Sequence, residues 1–313
     1  MNEYSKKMLK VPTYNLLREQ DMGKLPVLDV RNLGIDFGGL TAVDSFNITI
    51  GPTEISGLIG PNGAGKTTIF NLLTSVYQPT RGSILVNGID TKGMTTAKVN
   101  KLGVARTFQN IRLFGEMSAL DNVKVGMHNQ IKCSFLASLL HLPSYYKAEK
   151  KANEKAMELL DFMGLADIAD QKAGSLPYGV QRRLEIVRAL ASNPSIILLD
   201  EPAAGMNPSE TTELMHQIRR IRDTFQIAIF LIEHDMNLVM NVCEAIAVGN
   251  YGRIIAKGTP EEVRSEPAVI EAYLGKSEEG ALCLKLMIFM CITALSMPLR
   301  VLPSRFTPVR SLP

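Results

Sequence analysis

The sequence predicts an α/β fold built around a parallel sheet, and three observations carry this prediction. Two continuous apolar runs, Ile196–Leu199 and Ile227–Ile232, are typical of strands buried on both faces of a sheet. The strand-like segment Ile55–Ile59 runs through a glycine-rich turn into the helical pattern of Thr67–Tyr77. Apolar and polar residues alternate in Val27–Ile35 and Ser45–Ile50, which predicts an antiparallel strand pair ahead of the sheet.

Composition favours a globular protein with a sizeable core. Hydrophobic residues make up 46% of the 313 residues, charged residues make up 21%, and the net charge is only +3. A charge this small is typical of a mixed surface and gives no support to nucleic acid binding. The cysteines show neither a CxxC pair nor metal-ligand spacing, which favours reduced thiols in the cytosol. No apolar stretch predicts a secretory signal or a membrane span.

The chain is expected to divide into a lead-in, one large domain and a tail. The expected bounds are residues 1–26 for the lead-in, 27–275 for the domain and 276–313 for the tail. Within the domain, the segment from about residue 111 to 193 is interpreted as an inserted α-helical subdomain. Its middle part, Ala148–Leu165, is rich in Ala, Glu, Lys and Leu, and Leu184–Ala191 again has helical spacing.

A glycine-rich segment between the predicted strand and helix matches the pattern G-x-x-x-x-G-K-[ST]. It comprises Gly60, Pro61, Asn62, Gly63, Ala64, Gly65, Lys66 and Thr67, with Thr68 following. Glycines let successive backbone N–H groups curl around phosphate oxygens, and the helix N-terminus adds its positive dipole end. Lys66 is expected to reach the β- and γ-phosphates, and Thr67 is expected to ligate Mg²⁺. The segment therefore predicts a P-loop that binds ATP together with Mg²⁺.

Polar residues at the ends of the apolar strands supply the chemistry expected of ATP hydrolysis. Asp200 is expected to hold Mg²⁺, and Glu201 to polarise a water for attack on the γ-phosphate. Gln109 is a candidate contact of Mg²⁺ or of that water, and His234 is a candidate contact of the γ-phosphate. The predicted catalytic residues are Lys66, Gln109, Glu201 and His234, and the predicted metal ligands are Thr67, Gln109 and Asp200.

The order of these motifs resembles the nucleotide-binding domain of ABC transporters, over about residues 27–275. The resemblance implies that Phe37 stacks on adenine, that Val43 also contacts the nucleotide, and that a signature segment caps the ATP of a partner subunit. Most of the family has L-S-G-G-Q there, where this chain has Leu176, Pro177, Tyr178, Gly179 and Val180. Pro177 removes one hydroxyl donor to the γ-phosphate, while Gly179 and the helix start are retained to act in trans.

Further segments resemble one subfamily, the ATP-binding subunits of branched-chain amino-acid importers. These segments are LPYGVQRRLEI, DEPAAGMNP, RTFQNIRLF and GTPEEV. The resemblance implies a second, related ATPase subunit, two membrane permeases and an external substrate-binding protein, assembled at the cytoplasmic face of the inner membrane. It implies no nucleic acid partner and no direct contact with cargo. Amide and urea importers share much of the pattern, and a soluble ABC ATPase or a P-loop kinase are the alternatives from other classes.

The tail has an unusual feature at the level of its possible codons. When codons for residues 281–313 are read in the register that begins at the third base of each codon, allowed codon choices give a string that aligns without gaps to Leu28–Ser56 of this same chain. Methionine has one codon, so Met287, Met290 and Met297 force Asp, Val and Ala in the shifted register, and all three fit the alignment. The hypothesis is that the tail is a neighbouring cassette gene translated out of frame, and that the functional chain ends near Gly280.

Overall fold

Two β-sheets organise the fold in the computed structural model, which describes residues 21, 23–129 and 142–274. The strands are β1 (Leu28–Phe37), β2 (Leu40–Ile50), β3 (Ile55–Ile59), β4 (Arg81–Val86), β5 (Ile89–Asp90), β6 (Val104–Arg106), β7 (Ile196–Asp200), β8 (Ala228–Ile232), β9 (Ala245–Asn250) and β10 (Arg253–Gly258). One sheet has the order β2-β1-β4-β5, and the other has the order β10-β9-β3-β8-β7-β6. The described residues as far as Tyr273 belong to one unit.

The smaller sheet is antiparallel and begins with the predicted strand pair. In the β1–β2 hairpin, Leu28 lies opposite Ile50 and Phe37 lies opposite Leu40, so that the turn falls at Gly38 and Gly39. Strand β4 pairs with the other side of β1, also antiparallel. The predicted antiparallel subdomain is confirmed, with a hairpin longer than the alternation in the sequence indicated.

The larger sheet is parallel in its centre, as the continuous apolar runs predicted. Strand β3 pairs in parallel with β8 and β9, and β7 pairs in parallel with β6 and β8, while β10 runs antiparallel at the edge. Every residue of β3, β7 and β8 is buried. Because parallel strands end at the same edge, the residues that follow β3, β7 and β8 are brought together.

Helices cover the sheets and fill the middle of the chain. They are α1 (Lys66–Leu73), α2 (Thr96–Lys101), α3 (Ala119–Gly126), α4 (Pro143–Phe162), α5 (Tyr178–Leu190), α6 (Pro208–Phe225), α7 (Met236–Val242), α8 (Pro260–Ser265) and α9 (Pro267–Leu274). Helices α3, α4 and α5 lie in the segment that the sequence assigned to a helical insertion, and α3 packs against both α4 and α5. The predicted fold class is therefore confirmed.

The core lies on both faces of the parallel sheet. In β7, Ile197 and Leu199 pack into the apolar cluster that includes helices α3 to α6, whereas Ile196 and Leu198 pack into the cluster that contains Phe70 of α1. The second cluster also contains inward-facing residues of the antiparallel sheet. Alternate residues of one strand thus serve two cores, which is why these strands are apolar at every position.

The helix that follows the glycine-rich loop is shorter than predicted. The sequence pattern extended it to Tyr77, with Val76 on the apolar face, but α1 ends at Leu73 and Val76 is 50% exposed. Ser75 takes a left-handed backbone conformation with φ 54°. The backbone N–H groups of Val76 and Tyr77 then donate to the carbonyl oxygen of Asn71. A turn of this kind supplies hydrogen-bond donors to a carbonyl group at the end of the helix, and the residues that follow lie at the surface.

Several sequence predictions fall on residues outside the described ranges. The tail hypothesis concerns residues 276–313, and most of the expected lead-in, residues 1–20 and 22, also lies outside them. Asp21 is described and is fully buried, and it accepts hydrogen bonds from the backbone and the hydroxyl of Thr53. Within the part of the chain that the structure describes, no helix has both the length and the apolar content required to cross a membrane.

Candidate nucleotide site

The glycine-rich loop joins β3 to α1 and is held tightly by its neighbours. Gly60 has φ 155°, and a Cβ atom added there would lie 2.2 Å from the carbonyl oxygen of Gly249. Gly65 has φ 85°, and a Cβ there would lie 2.8 Å from the carbonyl oxygen of Ala42. Neither position has room for a side chain, so both glycines are required for this close backbone approach. The loop is thereby fixed between β9 and β2.

Lys66 begins α1 and folds back over the loop. Its ammonium donates to the carbonyl oxygens of Gly60, at 2.7 Å, and Pro61, at 3.1 Å. Burial lowers the pKa of the Lys66 ammonium, and the nearby carboxylates of Glu201 and Asp200 oppose this shift. The ammonium of the loop lysine therefore lies within electrostatic reach of Glu201 and of Asp200, the last residue of β7.

Asp200 ends β7 and is held by a buried arginine that sequence reasoning missed. Its carboxylate lies 2.8 Å from the guanidinium of Arg106, and both side chains are almost completely buried. Arg106 also donates to the side chain of Asn71 on α1, at 2.7 Å. Arg106 thus links Asp200, the candidate Mg²⁺ ligand, to α1, the helix that follows the glycine-rich loop. Arg106 stands three residues before Gln109 in the sequence. Its charge drew no attention there, because no acidic partner lies near it in the sequence.

The Glu201 carboxylate meets side chains from the segments that follow two other strands, β6 and β8. Gln109 Nε2 donates to Glu201 Oε2 at 2.8 Å, and His234 Nε2 lies 2.9 Å from Glu201 Oε1. The side chains of Gln109, Glu201 and His234, which the sequence proposed separately, therefore meet at one carboxylate. Glu201 has a left-handed backbone with φ 49°. Such strain in a non-glycine residue is typical of functional sites.

Glu233 is a second residue that sequence reasoning missed. It is buried at the end of β8, where its carboxylate accepts from the backbone N–H groups of Ala203, His234 and Asp235. Burial raises the pKa of Glu233, and these three hydrogen bonds oppose that shift. The carboxylate ties the turn after Glu201 to the turn that carries His234. An acid directly before the predicted histidine was the only available signal.

Two residues expected at the adenine are placed very differently. Phe37 is 43% exposed at the end of β1, and its ring meets Tyr77 edge-on with 5.3 Å between centroids. Val43 is fully buried in the core and lies behind Gly65. Strand β2 presents the Val43 side chain to the core, and its contact with the nucleotide stays a prediction.

Gly179 lies on the first turn of α5, apart from the residues around Glu201. Pro177 is the N-cap of this helix and makes no side-chain hydrogen bond to it. A Cβ added at Gly179 would lie 3.2 Å from a carboxylate oxygen of Glu210 on α6. The first-turn N–H groups of α5 are consequently left without a side-chain cap, which is an arrangement suited to an anion.

The three predicted metal ligands offer oxygen atoms, which are the donors that Mg²⁺ prefers. Arg106 engages one carboxylate oxygen of Asp200, and Gln109 uses its amide nitrogen on Glu201. The second oxygen of Asp200, the amide oxygen of Gln109 and the hydroxyl of Thr67 are then the atoms offered to a cation. This donor set fits Mg²⁺, which when bound would withdraw charge from phosphate oxygens.

This combination of fold and site defines the class of P-loop nucleotide hydrolases. Residues 43–204 match the family described as ABC transporter, and residues 253–279 match the one described as branched-chain amino acid ATP-binding cassette transporter. The chain belongs to the ABC transporter family, and within it to the ATP-hydrolysing cassettes.

Curated relatives match over nearly their whole length. The chain is 46% identical over 252 residues to the high-affinity branched-chain amino acid transport ATP-binding protein BraF of Pseudomonas aeruginosa, covering 80% of this chain and 99% of the relative. It is 47% identical, with the same coverage, to the corresponding protein LivG of Escherichia coli. Among solved structures, a nucleotide-free ATP-binding cassette from an ABC transporter matches with a TM-score of 0.70 and 32% identity, covering 80% of this chain and all of that one.

Proposed function

We propose that this chain is the ATP-binding and ATP-hydrolysing subunit of an importer for branched-chain amino acids. The meeting of Gln109 and His234 on the carboxylate of Glu201, beside the loop lysine, is the observation that carries the hydrolytic role. The cargo assignment is supported by the 46–47% identity to BraF and LivG. Amide and urea importers are the competing cargo class, and transport measurements distinguish them.

In the proposed reaction, the loop and Lys66 bind the phosphates of ATP. Two of the three N–H donors of Lys66 hold the carbonyl oxygens of Gly60 and Pro61, and the third remains for a phosphate oxygen. The N–H groups of the loop and of the first turn of α1 supply the remaining donors. Phe37 contributes an exposed aromatic face to the adenine, and stacking requires only that face.

Hydrolysis is assigned to Glu201. Its carboxylate accepts a proton from a water molecule that attacks the γ-phosphorus in line. The bond from this phosphorus to the β–γ bridging oxygen breaks, and ADP and inorganic phosphate are released. Gln109 and His234 orient this carboxylate, and His234 is then within reach of the γ-phosphate oxygens from the end of β8. Because the Glu201 side chain is only 16% exposed, its contacts with the substrate water are poorly screened by solvent.

The site is proposed to be complete only when two cassettes pair. The uncapped start of α5, with Gly179 in its first turn, would meet the γ-phosphate of the ATP bound by the partner subunit. Closing the pair would exclude water and assemble the catalytic groups. Pro177 cannot supply the usual hydroxyl, so backbone N–H groups carry this contact.

The proposed assembly contains a second, related ATPase subunit, two membrane permeases and an external substrate-binding protein. This subunit would lie at the cytoplasmic face of the inner membrane and bind neither nucleic acid nor cargo. Leucine should therefore produce no saturable calorimetric signal with the purified subunit and should not change its ATPase rate. A saturable signal would contradict the proposal that this subunit does not bind cargo, and it would indicate a regulatory site.

Uptake measurements test the cargo assignment. We expect disruption of this gene to abolish high-affinity uptake of labelled leucine, isoleucine and valine, and expression of the intact chain to restore it. A Lys66→Ala chain serves as the inactive control. Loss of urea or amide uptake with unchanged leucine uptake would replace the proposed cargo. Co-purification from membranes should recover two permeases and the second ATPase subunit.

A further inference from the structure

Arg182 is a completely buried arginine on α5 that the proposed reaction does not yet use. Its guanidinium donates to the backbone carbonyl oxygens of Phe108 and Gln109, the latter at 2.7 Å, and lies 3.4 Å from the carbonyl oxygen of Glu201. The guanidinium of Arg182 therefore holds the backbone of both Gln109 and Glu201, whose side chains contact each other. The nearest acid, Glu185, pairs with it at 3.1 Å.

The same helix holds the rest of the Gln109 segment. Glu185 accepts from the backbone N–H of Arg112 at 3.3 Å, and Arg188 donates to the carbonyl oxygen of the same residue. Both ends of the segment from Phe108 to Arg112 are thus tied to α5. Movement of Gln109 must either carry α5 along or break several charge-assisted hydrogen bonds, which are the stronger ones in proteins.

Arg182 also contacts the first residue of α5, Tyr178. Arg182 Nη2 donates to the hydroxyl of Tyr178, which lies four residues earlier on the same helix, at 3.3 Å. The Tyr178 ring packs on Gly205, where an added Cβ would lie 3.3 Å from the ring. The hydroxyl and the ring therefore connect the helix start to Arg182 and to the turn that follows Glu201.

We propose that Arg182 is a positioning residue that couples the two nucleotide sites of a cassette pair. It connects Gln109 and the Glu201 backbone, which serve the subunit's own ATP, with the Tyr178–Gly179 helix start, which serves the ATP of the partner. This coupling rests on the proposed function, because it requires a composite site. Nucleotide binding that draws Gln109 toward the metal shifts the guanidinium, and the helix start follows.

The chemistry of the guanidinium explains why an arginine is needed here. It is planar and presents five N–H donors in a fixed fork, so several acceptors are held in one geometry. A lysine at this position would keep the charge, but its ammonium is a point donor on a flexible stem. Arg182→Lys should therefore preserve the fold and lose the coupling, whereas Arg182→Gln also removes the charge from the buried pair with Glu185 and should lower the stability as well.

A single tryptophan makes the coupling measurable, because the chain contains none. Pro177→Trp places the probe at the exposed N-cap of α5 and leaves Tyr178 intact. With the full-length chain kept monomeric by dilution, binding of Mg²⁺ and a non-hydrolysable ATP analogue should shift the emission of this probe. In the Arg182→Lys and Arg182→Gln backgrounds the analogue should bind with unchanged affinity and the shift should be lost.

Controls separate coupling from folding. Arg220→Gln removes another arginine, whose guanidinium lies over the Phe162 ring rather than near Gln109, and it should retain the full shift. Tyr178→Phe keeps the ring on Gly205 but removes the hydroxyl, and it should reduce the shift without loss of stability. A full shift in folded Arg182→Lys would overturn the proposal, as would absence of any shift in the parent probe when the analogue binds.

Hydrolysis by the co-purified transporter provides the second measurement. Arg182→Lys should lower kcat about tenfold or more and reduce the Hill coefficient for ATP toward one, with little change in nucleotide affinity. A lower rate with an unchanged Hill coefficient would contradict coupling. Failure of the proposed function itself would be visible separately, because the unmodified assembly would then show no cooperative hydrolysis and no dependence on Gly179.

Discussion

The imidazole of His234 and the carboxylate of Glu201 are 2.9 Å apart, and they come from the ends of neighbouring parallel strands. Gln109 holds the other carboxylate oxygen from the segment that follows β6. Each carboxylate oxygen of Glu201 is therefore in contact with one of these two side chains. A water molecule that binds the carboxylate must share an oxygen with Gln109 or His234, or displace one of these side chains. The two side chains therefore control access to the proposed base as well as its orientation.

Replacing Glu201 by glutamine should separate binding from hydrolysis. The amide has the same shape but cannot accept the proton, so we expect ATP to bind with nearly unchanged affinity and kcat to fall by about a hundredfold or more. The closed pair should accumulate in the presence of ATP and be visible by size-exclusion chromatography. Glu158→Gln, an exposed acid on α4, is the matched control. Normal turnover in Glu201→Gln would assign the base to another group.

Lys66→Ala should weaken nucleotide binding. Loss of a charge that faces the phosphates is expected to raise the Kd for ATP at least about tenfold. Because Lys66 donates to loop carbonyl oxygens before binding, the loop itself should become more mobile in the variant. Titration with a fluorescent ATP analogue measures the change, with the exposed Lys155→Ala as control. Equal affinities in the two variants would refute this role.

Arg106→Gln should destabilise the protein through Asp200. Removing one partner of a buried ion pair leaves the other charge uncompensated, at a cost of about 3–5 kcal/mol in the free energy of unfolding. The double variant Arg106→Gln/Asp200→Asn should lose less than the sum of the two single variants, because the residual charge is gone. Denaturant unfolding measures all four chains of this cycle. Strict additivity would show that the two side chains do not interact.

Gly179→Asp should impair hydrolysis without affecting nucleotide binding by the monomer. The new carboxylate would oppose a γ-phosphate of the partner site, so the rate should fall strongly only in the paired state. Unchanged hydrolysis by the co-purified transporter would show that the start of α5 does not line the composite site. Pro177→Ser restores a hydroxyl at the N-cap, and we expect only a small change in rate.

Deletion of residues 281–313 should leave ATP hydrolysis and assembly with the permeases unchanged, because the tail is proposed to be out-of-frame sequence. The deleted chain and the full chain are compared by ATPase rate and by co-purification. Genomic DNA gives the more direct test. If no cassette gene opens in the shifted register near codon 282, the hypothesis fails.

The sequence predicted the fold, and it proposed the side chains that the structure brings together at Glu201, because both depend on local patterns. The glycine-rich loop is contiguous, and the acids follow apolar runs whose parallel pairing brings Glu201 and His234 together. The helix end at Leu73 was mispredicted because it depends on one left-handed residue, Ser75, in a continuing apolar pattern. The assignment of Val43 to the nucleotide came from the resemblance, and it stays a prediction for a side chain that β2 presents to the core.

The buried arginines could not be predicted in the same way. Arg106 meets Asp200 across 94 positions, and Arg182 meets the carbonyl oxygen of Gln109 across 73 positions. The first contact depends on the pairing of β6 with β7, and the second depends on how α5 packs over the segment after β6. No spacing rule in a single chain reports either of them. Charged residues are usually exposed, so each arginine taken alone would be placed on the surface.

The left-handed backbone of Glu201 constrains which substitutions can be accepted at this position during evolution. A glycine at this position would relieve conformational strain of about 1 kcal/mol. That replacement would also eliminate the carboxylate that meets Gln109 and His234. An exchange that relaxes the backbone at this turn is therefore one that a working transporter cannot accept, and variants selected only for heat resistance should be checked at this position first.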